Sequence, residues 1–146
     1  MKIFFDLCVI QRPLDTPSHI RITLESEAVL GLFALCESGR IECLSSEVLF
    51  FEGERSSLAI RREHTQNFLK KSKQTIIISE KEKLRAKELV DYGIKPLDAL
   101  HLASAESGKA DYFCTCDDKI IKKSLQIENL KVKVINPVEL VQEIEK

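Results

Sequence analysis

The feature that most constrains this chain is a nearly uninterrupted apolar stretch, Pro96-Leu97-Asp98-Ala99-Leu100-His101-Leu102-Ala103-Ser104-Ala105. Read as a helix, the stretch is apolar on nearly every side, and helices of that kind are buried. Its first turn nevertheless carries a carboxylate, Asp98, and an ionised carboxylate without a partner is very costly to bury. Either the free backbone N–H groups at the helix start stabilise this acid, or it faces a cation together with other acids.

Three more acids occupy similarly unexpected places. Asp6 ends the predicted first strand, residues 2–6, and Asp117 follows the predicted fourth strand, residues 111–116. Glu52 lies on or beside the apolar stripe of a predicted helix, where an acid is unexpected. We interpret the four acids as ligands that converge on a divalent cation.

Each of these acids also has a simpler explanation. Asp6 could be a strand-end acid facing water, and Asp117 could cap the following helix, with Asp118 as the rival cap. Glu47 and Glu54 are close enough in sequence to replace Glu52 as the functional acid.

Strand and helix patterns alternate along the chain without hairpin turns. Strands are predicted at residues 2–6, 41–44, 74–79, 111–116 and 130–135, and helices at 20–38, 46–59, 61–73, 80–92, 96–108, 119–124 and 137–146, with a connection at 7–16. Ile76-Ile77-Ile78 indicates a fully buried third strand, and Leu84, Leu89 and Val90 are the apolar residues of the helix after it. The alternation predicts an α/β fold with a parallel sheet covered on both faces.

In such folds ligands bind outside the carboxyl ends of the strands, near a switch in strand order. Because Asp6 and Asp117 both stand at carboxyl ends of strands, they are expected at the same edge of the sheet. The route that brings Asp98 to that edge stays open at this point.

Length and composition narrow the class of protein. The 146 residues have the size of one domain, 1–146, and the net charge of −1 means that an RNA contact needs a local basic patch. Arg55 follows Glu52 by three positions on the same helix face, so it is an accessory candidate for pairing with an acid or with an RNA phosphate.

No apolar run approaches the roughly 20 residues of a membrane span. Five cysteines, an odd number without a secretory signal, predict reduced thiols in the cytoplasm.

The ligand chemistry favours a hard cation. Carboxylates without a spaced set of histidines or cysteines suit Mg²⁺ or Mn²⁺. Two such ions about 4 Å apart can hold the attacking water and the leaving oxygen of a phosphodiester, although one ion is also compatible with the sequence. His101 lies inside the buried helix and is interpreted as a packed histidine rather than a ligand.

Taken in order along the chain, these motifs resemble those of the PIN-domain ribonucleases, and most of all the VapC-type toxins of bacterial and archaeal toxin–antitoxin pairs. The residues that carry the resemblance are Phe4-Phe5-Asp6-Leu7-Cys8-Val9-Ile10, Ser45-Ser46-Glu47-Val48-Leu49-Phe50-Phe51-Glu52, Pro96-Leu97-Asp98-Ala99-Leu100-His101-Leu102-Ala103 and Cys114-Thr115-Cys116-Asp117-Asp118. They are spread over nearly the whole chain.

The resemblance implies a three-layer α/β/α sandwich with a central parallel sheet of about five strands. It implies an acidic quartet that binds metal and acts in catalysis, formed by Asp6, Glu52, Asp98 and Asp117. Thr115 is implied as a hydroxyl beside the quartet, with Asp118 as a further accessory candidate. The resemblance also implies a homodimer and a small antitoxin whose tail can block the site.

The sequence therefore predicts a Mg²⁺- or Mn²⁺-dependent endoribonuclease, the toxin of a toxin–antitoxin pair, which cleaves RNA with a metal-activated water. A catalytically degenerate PIN-fold binding or assembly module is the alternative, because Cys8 stands where the family often has Asn. A metal-dependent DNA nuclease or phosphatase is a third hypothesis. The helical region from Ser46 to Lys73, with Phe50 and Phe51, is expected to expose apolar surface to a second subunit or an antitoxin.

Overall fold

Five parallel strands form a single sheet in the order β3-β2-β1-β4-β5 in the computed structural model, which describes residues 1–146. The strands are β1 (Lys2–Phe5), β2 (Glu42–Ser46), β3 (Gln74–Ile76), β4 (Tyr112–Cys114) and β5 (Lys133–Ile135). The helices are α1 (Leu7–Ile10), α2 (Ile20–Glu37), α3 (Glu47–Glu54), α4 (Ala59–Lys70), α5 (Glu80–Asp91), α6 (Pro96–Ser107), α7 (Asp118–Ser124) and α8 (Pro137–Ile144). The predicted α/β/α fold with a parallel sheet of five strands is confirmed. None of the eight helices combines the length and the apolar character that crossing a membrane requires.

The core lies on both faces of the central strand β1. Phe4 and Phe5 are fully buried, and because successive side chains of a strand point to opposite faces, each ring enters a different layer. Phe4 stacks on Phe113 with ring centroids 5.4 Å apart, whereas Phe5 packs edge-on against Phe33 and Phe68. Burying one such ring stabilises the fold by about 1.5–3 kcal/mol.

The strand order switches direction at β1. The chain passes from β1 to β2 and β3 on one side, and then returns to place β4 and β5 on the other side. The connections that leave β1 and β4 therefore diverge, and a crevice opens between the carboxyl ends of these strands. Asp6 follows β1 and Asp117 lies three residues after the end of β4, so both stand at this crevice.

A helical hairpin brings Asp98 to the crevice. The hydroxyl of Ser107, the last residue of α6, donates to Glu82 in the first turn of α5 at 2.7 Å. The start of α5 thus lies beside the end of α6, the two helices run antiparallel, and α6 begins where α5 ends. This arrangement, which the sequence left open, returns the first turn of α6 to the edge that holds Asp6.

Two predicted boundaries were wrong. Residues 7–14 are not a plain connection, because α1 and a short 3-10 turn, Arg12–Leu14, fill them. The helix predicted at 46–59 ends at Glu54, and α4 begins a few residues later at Ala59. Arg62 stabilises the break by donating to the backbone carbonyls of Ser56 and Ser57, at 2.7 and 3.2 Å.

The prediction that the third strand is fully buried was also wrong. Ile76 is buried in β3, but Ile77 is 65% exposed, because β3 lies at the edge of the sheet and ends at Ile76. In α5, Leu89 is buried whereas Leu84 and Val90 are exposed, and Ala86 takes part of the buried face instead.

The expectation that all five cysteines are reduced was wrong. Cys36 at the end of α2 and Cys43 in β2 form a disulfide, with Cα atoms 6.3 Å apart. Gly39, with a φ of 81°, allows the tight return that brings the two residues together. The count of cysteines could not reveal this proximity, because it depends on the path of the chain between them. Cys8, Cys114 and Cys116 are free thiols.

Candidate metal centre

A cleft of about 450 Å³ opens at the switch in strand order. It is lined by the carboxylates of Asp6, Glu52, Asp98 and Asp117, together with Cys8 and Arg12. The structure therefore brings the four acids singled out in the sequence to one place, although they come from four separate segments of the chain.

Asp6 is the most buried of the four, with 6% of its surface exposed. One carboxylate oxygen accepts the backbone N–H of Leu7 at 2.9 Å and so caps α1. The other accepts the Thr115 hydroxyl at 2.9 Å and lies 3.5 Å from the Cys8 sulfur. Burial raises the pKa of Asp6 above its ordinary value, and the charge of Glu52 adds to this effect.

Thr115 connects two acids of the cleft. Its hydroxyl donates to Asp6 and accepts the backbone N–H of Asp117 at 3.1 Å. Asp117 also caps α7, because its carboxylate accepts the backbone N–H of Lys119 at 2.9 Å. Capping a helix and lining the cleft are thus compatible at this position, and they are not alternatives.

Asp98 occupies the first turn of α6 and faces the other acids. Partial burial raises its pKa to about 6, and the charges of Asp6, Asp117 and Glu52 contribute to the rise. The carboxylates are therefore close enough to disfavour one another's ionisation, and a positive charge in the cleft would relieve that repulsion.

Glu52 reaches the cleft from α3 and has a partner that the sequence interpretation missed. Its carboxylate lies 3.2 Å from Nε2 of the fully buried His101. Burial lowers the pKa of His101, but the hydrogen bond to Glu52 and the charge of Asp6 outweigh it and raise the pKa overall. Potential ligand atoms of Asp6, Glu52 and His101 lie within 4.8 Å of one another. The signal for His101 was its position three residues after Asp98, on the same helix face.

Two other acidic residues that the sequence offered as candidates, Glu47 and Asp118, lie outside the cleft. Asp118 pairs with Arg21 at 2.7 Å, and Glu47 accepts the backbone N–H of Ile78 at 2.7 Å. Neither residue lines the cleft, nor does Arg55, whose guanidinium lies 5.5 Å from the centre of the Phe51 ring.

A larger cavity, of about 620 Å³, lies at the amino end of β2. Phe33, Phe68 and the Cys36–Cys43 disulfide form part of its wall, but none of the four converging carboxylates does. We therefore place the candidate centre in the smaller cleft, on chemistry rather than on size.

The donor set of the smaller cleft fits a hard divalent cation. Four carboxylates supply oxygen ligands of the kind that Mg²⁺ and Mn²⁺ prefer. Burial is the main cause of the raised pKa values of Asp6 and Asp98, and the charges of the neighbouring carboxylates add to it.

Comparisons with known proteins agree with this fold. A solved structure described as "Crystal structure of VapBC2 from Rickettsia felis bound to a DNA fragment from their promoter" superposes with a TM-score of 0.58 and 13% identity, covering 93% of this chain and 98% of the matched chain. Compared with curated protein sequences, the chain shows no significant match. The family model of the PIN domain matches residues 14–124, which is most of the chain. Because this match spans most of the chain, the protein, with the sheet order and the cleft described above, belongs to the PIN-domain family.

Proposed function

We propose that this protein is a metal-dependent endoribonuclease and the toxin of a toxin–antitoxin pair. The observation that carries the proposal is the convergence of four carboxylates in one cleft at the switch in strand order of a PIN domain. RNA is proposed as the substrate, and Mg²⁺ as the cation, with Mn²⁺ as a substitute.

Asp6, Glu52, Asp98 and Asp117 would hold the cation through their carboxylate oxygens. When bound, such a cation supplies a water of lowered pKa and positive charge beside the phosphate. Thr115 keeps its proton directed at one oxygen of Asp6, which orients that carboxylate. The backbone N–H of Lys119 orients Asp117 in the same way.

Arg12 would orient the substrate. Its guanidinium is held at the cleft by Asp15 at 2.8 Å and by the buried Glu25 at 3.2 Å. A fixed guanidinium is a strong partner for a phosphate oxygen. Because the net charge of −1 offers no general attraction to RNA, a phosphate contact has to come from a local group of this kind.

The test is incubation of the purified protein with defined RNAs in Mg²⁺, in Mn²⁺ and in EDTA. We expect cleavage only with metal. In Asp98→Asn, which removes one anionic ligand while keeping the shape, cleavage should fall by at least about 10²-fold. Added Mg²⁺ should raise the melting temperature of the parent more than that of the variant.

Three outcomes would contradict the proposal in different ways. RNA binding without cleavage would favour the degenerate binding module, for which Cys8 is the motivating residue. Preferential hydrolysis of DNA or of small phosphate esters would favour the hypothesis of a metal-dependent DNA nuclease or phosphatase. Full cleavage by Asp98→Asn would remove this residue from the metal site.

We further propose a small antitoxin and a second copy of this chain as binding partners of the α3–α4 region. The similar structure named above is described as VapBC2 bound to a DNA fragment from their promoter. Large apolar side chains remain exposed here, with exposed fractions of 59% for Phe51, 57% for Leu58 and 62% for Ile60. Large apolar side chains that stay exposed on two contacting helices form the kind of surface that a partner chain can cover.

A further inference from the structure

The buried imidazole of His101 lies directly behind the acidic cleft. The side chain is fully buried, and its ring centroid is 5.9 Å from that of Phe4 in the central strand. Its Nε2 atom is 3.2 Å from a carboxylate oxygen of Glu52, while Nδ1 has no hydrogen-bond partner. A polar ring in such a place is costly unless its one hydrogen bond is used.

The direction of that hydrogen bond follows from its partner. An ionised carboxylate only accepts hydrogen bonds, so the proton is on Nε2, and the Nε2–H group donates a hydrogen bond to Glu52. The assignment is the same for the neutral Nε2–H tautomer and for the imidazolium, because both donate from Nε2.

His101 is the only hydrogen-bond donor to the Glu52 side chain, whereas backbone N–H groups help to orient Asp6 and Asp117. Asp6 is held by Leu7 and Thr115, and Asp117 is held by Lys119. The side chain of Glu52 accepts a hydrogen bond from His101 alone. It is also longer than an aspartate, so more rotamer freedom has to be lost when its carboxylate is fixed.

We propose that His101 is a positioning residue, which uses its buried Nε2–H to hold the Glu52 carboxylate towards a divalent cation in the cleft. The inference rests on the proposed function, since it assumes that the cleft binds such a cation. Groups that hold a metal ligand in this way commonly change metal affinity by 10–100-fold when removed.

The same contacts argue against His101 as a direct ligand. The ring does not line the cleft, whereas all four carboxylates do. Its Nε2 is already engaged by Glu52, and hard cations prefer oxygen to nitrogen.

The experiment compares three substitutions of His101 by their Mn²⁺ affinity, measured from the electron paramagnetic resonance of free Mn²⁺. The terminal amide of Gln extends to about the place of Nε2, whereas that of Asn stops near Nδ1. We expect His101→Asn and His101→Leu to bind Mn²⁺ about 10–100-fold more weakly than the parent. His101→Gln should recover most of the affinity, and a purely packing role would not produce that order. Melting in EDTA verifies that each variant is folded.

A double-mutant cycle shows whether His101 acts through Glu52. If it does, His101→Leu should weaken Mn²⁺ binding in the parent but add little in a Glu52→Gln background. If the losses of Mn²⁺ affinity from the two substitutions are additive, the proposal is overturned. It is also overturned if pulsed electron paramagnetic resonance shows a hyperfine coupling between bound Mn²⁺ and a nitrogen of His101, because the residue would then be a ligand.

Failure of this inference can be told from failure of the proposed function. Unchanged Mn²⁺ affinity in folded His101→Leu, beside weakened affinity in Asp98→Asn, overturns the role of His101 alone. A parent that binds no Mn²⁺ overturns both. If the His101 variants do not fold, nuclear magnetic resonance of the parent and of Glu52→Gln decides. We expect a protected Nε2–H signal in the parent that shifts in Glu52→Gln, and an unshifted signal contradicts the contact.

Discussion

Asp98 combines partial burial with three neighbouring carboxylates, and its pKa rises to about 6 from an ordinary value of 3.8. Because folding raises this pKa, the folded protein binds more protons than the unfolded chain between about pH 4 and pH 6. The free energy of unfolding therefore falls as pH rises through that window. Ionised Asp98 destabilises the metal-free fold.

In Asp98→Asn this titration is absent. In EDTA at pH 7 we expect the variant to melt at or above the parent, with a difference that shrinks towards pH 4. Thermal unfolding of both proteins across this pH range measures it. A variant that is clearly less stable than the parent at pH 7 would mean that Asp98 mainly stabilises the start of α6.

The hydroxyl of Thr115 forms hydrogen bonds with both Asp6 and Asp117. Thr115→Val keeps the shape but leaves an Asp6 oxygen without its hydroxyl donor and the Asp117 N–H without an acceptor. We expect a loss of about 1–3 kcal/mol in the free energy of unfolding, measured in urea. Thr115→Ser, which retains the hydroxyl, is the matched control. Equal stability of the Val and Ser variants would show that the hydroxyl bonds contribute nothing.

Glu82 joins two helices through one carboxylate. It accepts the backbone N–H of Ser79 at 2.7 Å and the hydroxyl of Ser107 at 2.7 Å. The hydroxyls of Ser79 and Ser107 lower its pKa to about 2. Because folding lowers this pKa, its contribution to stability is complete above about pH 4.5 and disappears as pH falls towards 2.

Glu82→Gln should therefore lower the free energy of unfolding by about 1 kcal/mol at pH 7 and by less at pH 3. Urea unfolding at both values measures the difference. Glu80→Gln, at an exposed acid in the same turn, is the control and should change little at either pH. A loss that is the same at pH 3 as at pH 7 would contradict the titration of Glu82.

The disulfide is the covalent link between two elements, the end of α2 and β2. Alkylation of the unfolded, unreduced protein should modify three of its five cysteines, and reduction should make all five reactive. Mass spectrometry counts the added groups. By the chain-entropy argument for a short loop, reduction should lower the free energy of unfolding by about 2 kcal/mol. Five alkylated cysteines without reduction would rule the link out.

At the scale of the whole molecule, the exposed apolar residues of α3 and α4 predict self-association. The double substitution Phe51→Glu and Ile60→Glu places two negative charges on the proposed interface. Dimerisation would have to bury these charges without a compensating positive charge, which is costly. We expect light scattering to report a dimer for the parent and a monomer for this variant, with unchanged melting temperature in dilute solution. Leu125→Glu is the control, because Leu125 is 82% exposed but lies at the end of α7. A monomeric parent would contradict the homodimer.

Much of the architecture was predictable because it depends on local patterns. Alternating strand and helix signals predicted a parallel sheet, and an acid such as Asp98 in an apolar helix was anomalous enough to indicate a site. The pattern could not show that β3 is an edge strand, which leaves Ile77 exposed. Nor could it show the break between α3 and α4, which Arg62 stabilises from across the turn.

By itself, the sequence determined the fold class and singled out Asp6, Glu52, Asp98 and Asp117, because burial periodicity and misplaced charges can be read along the chain. Only the tertiary structure decided that the helical hairpin carries Asp98 back to the crevice. It also decided that His101 meets Glu52 and that Cys36 meets Cys43. Each of these contacts joins segments whose separation depends on how the elements pack, and no periodicity encodes that distance.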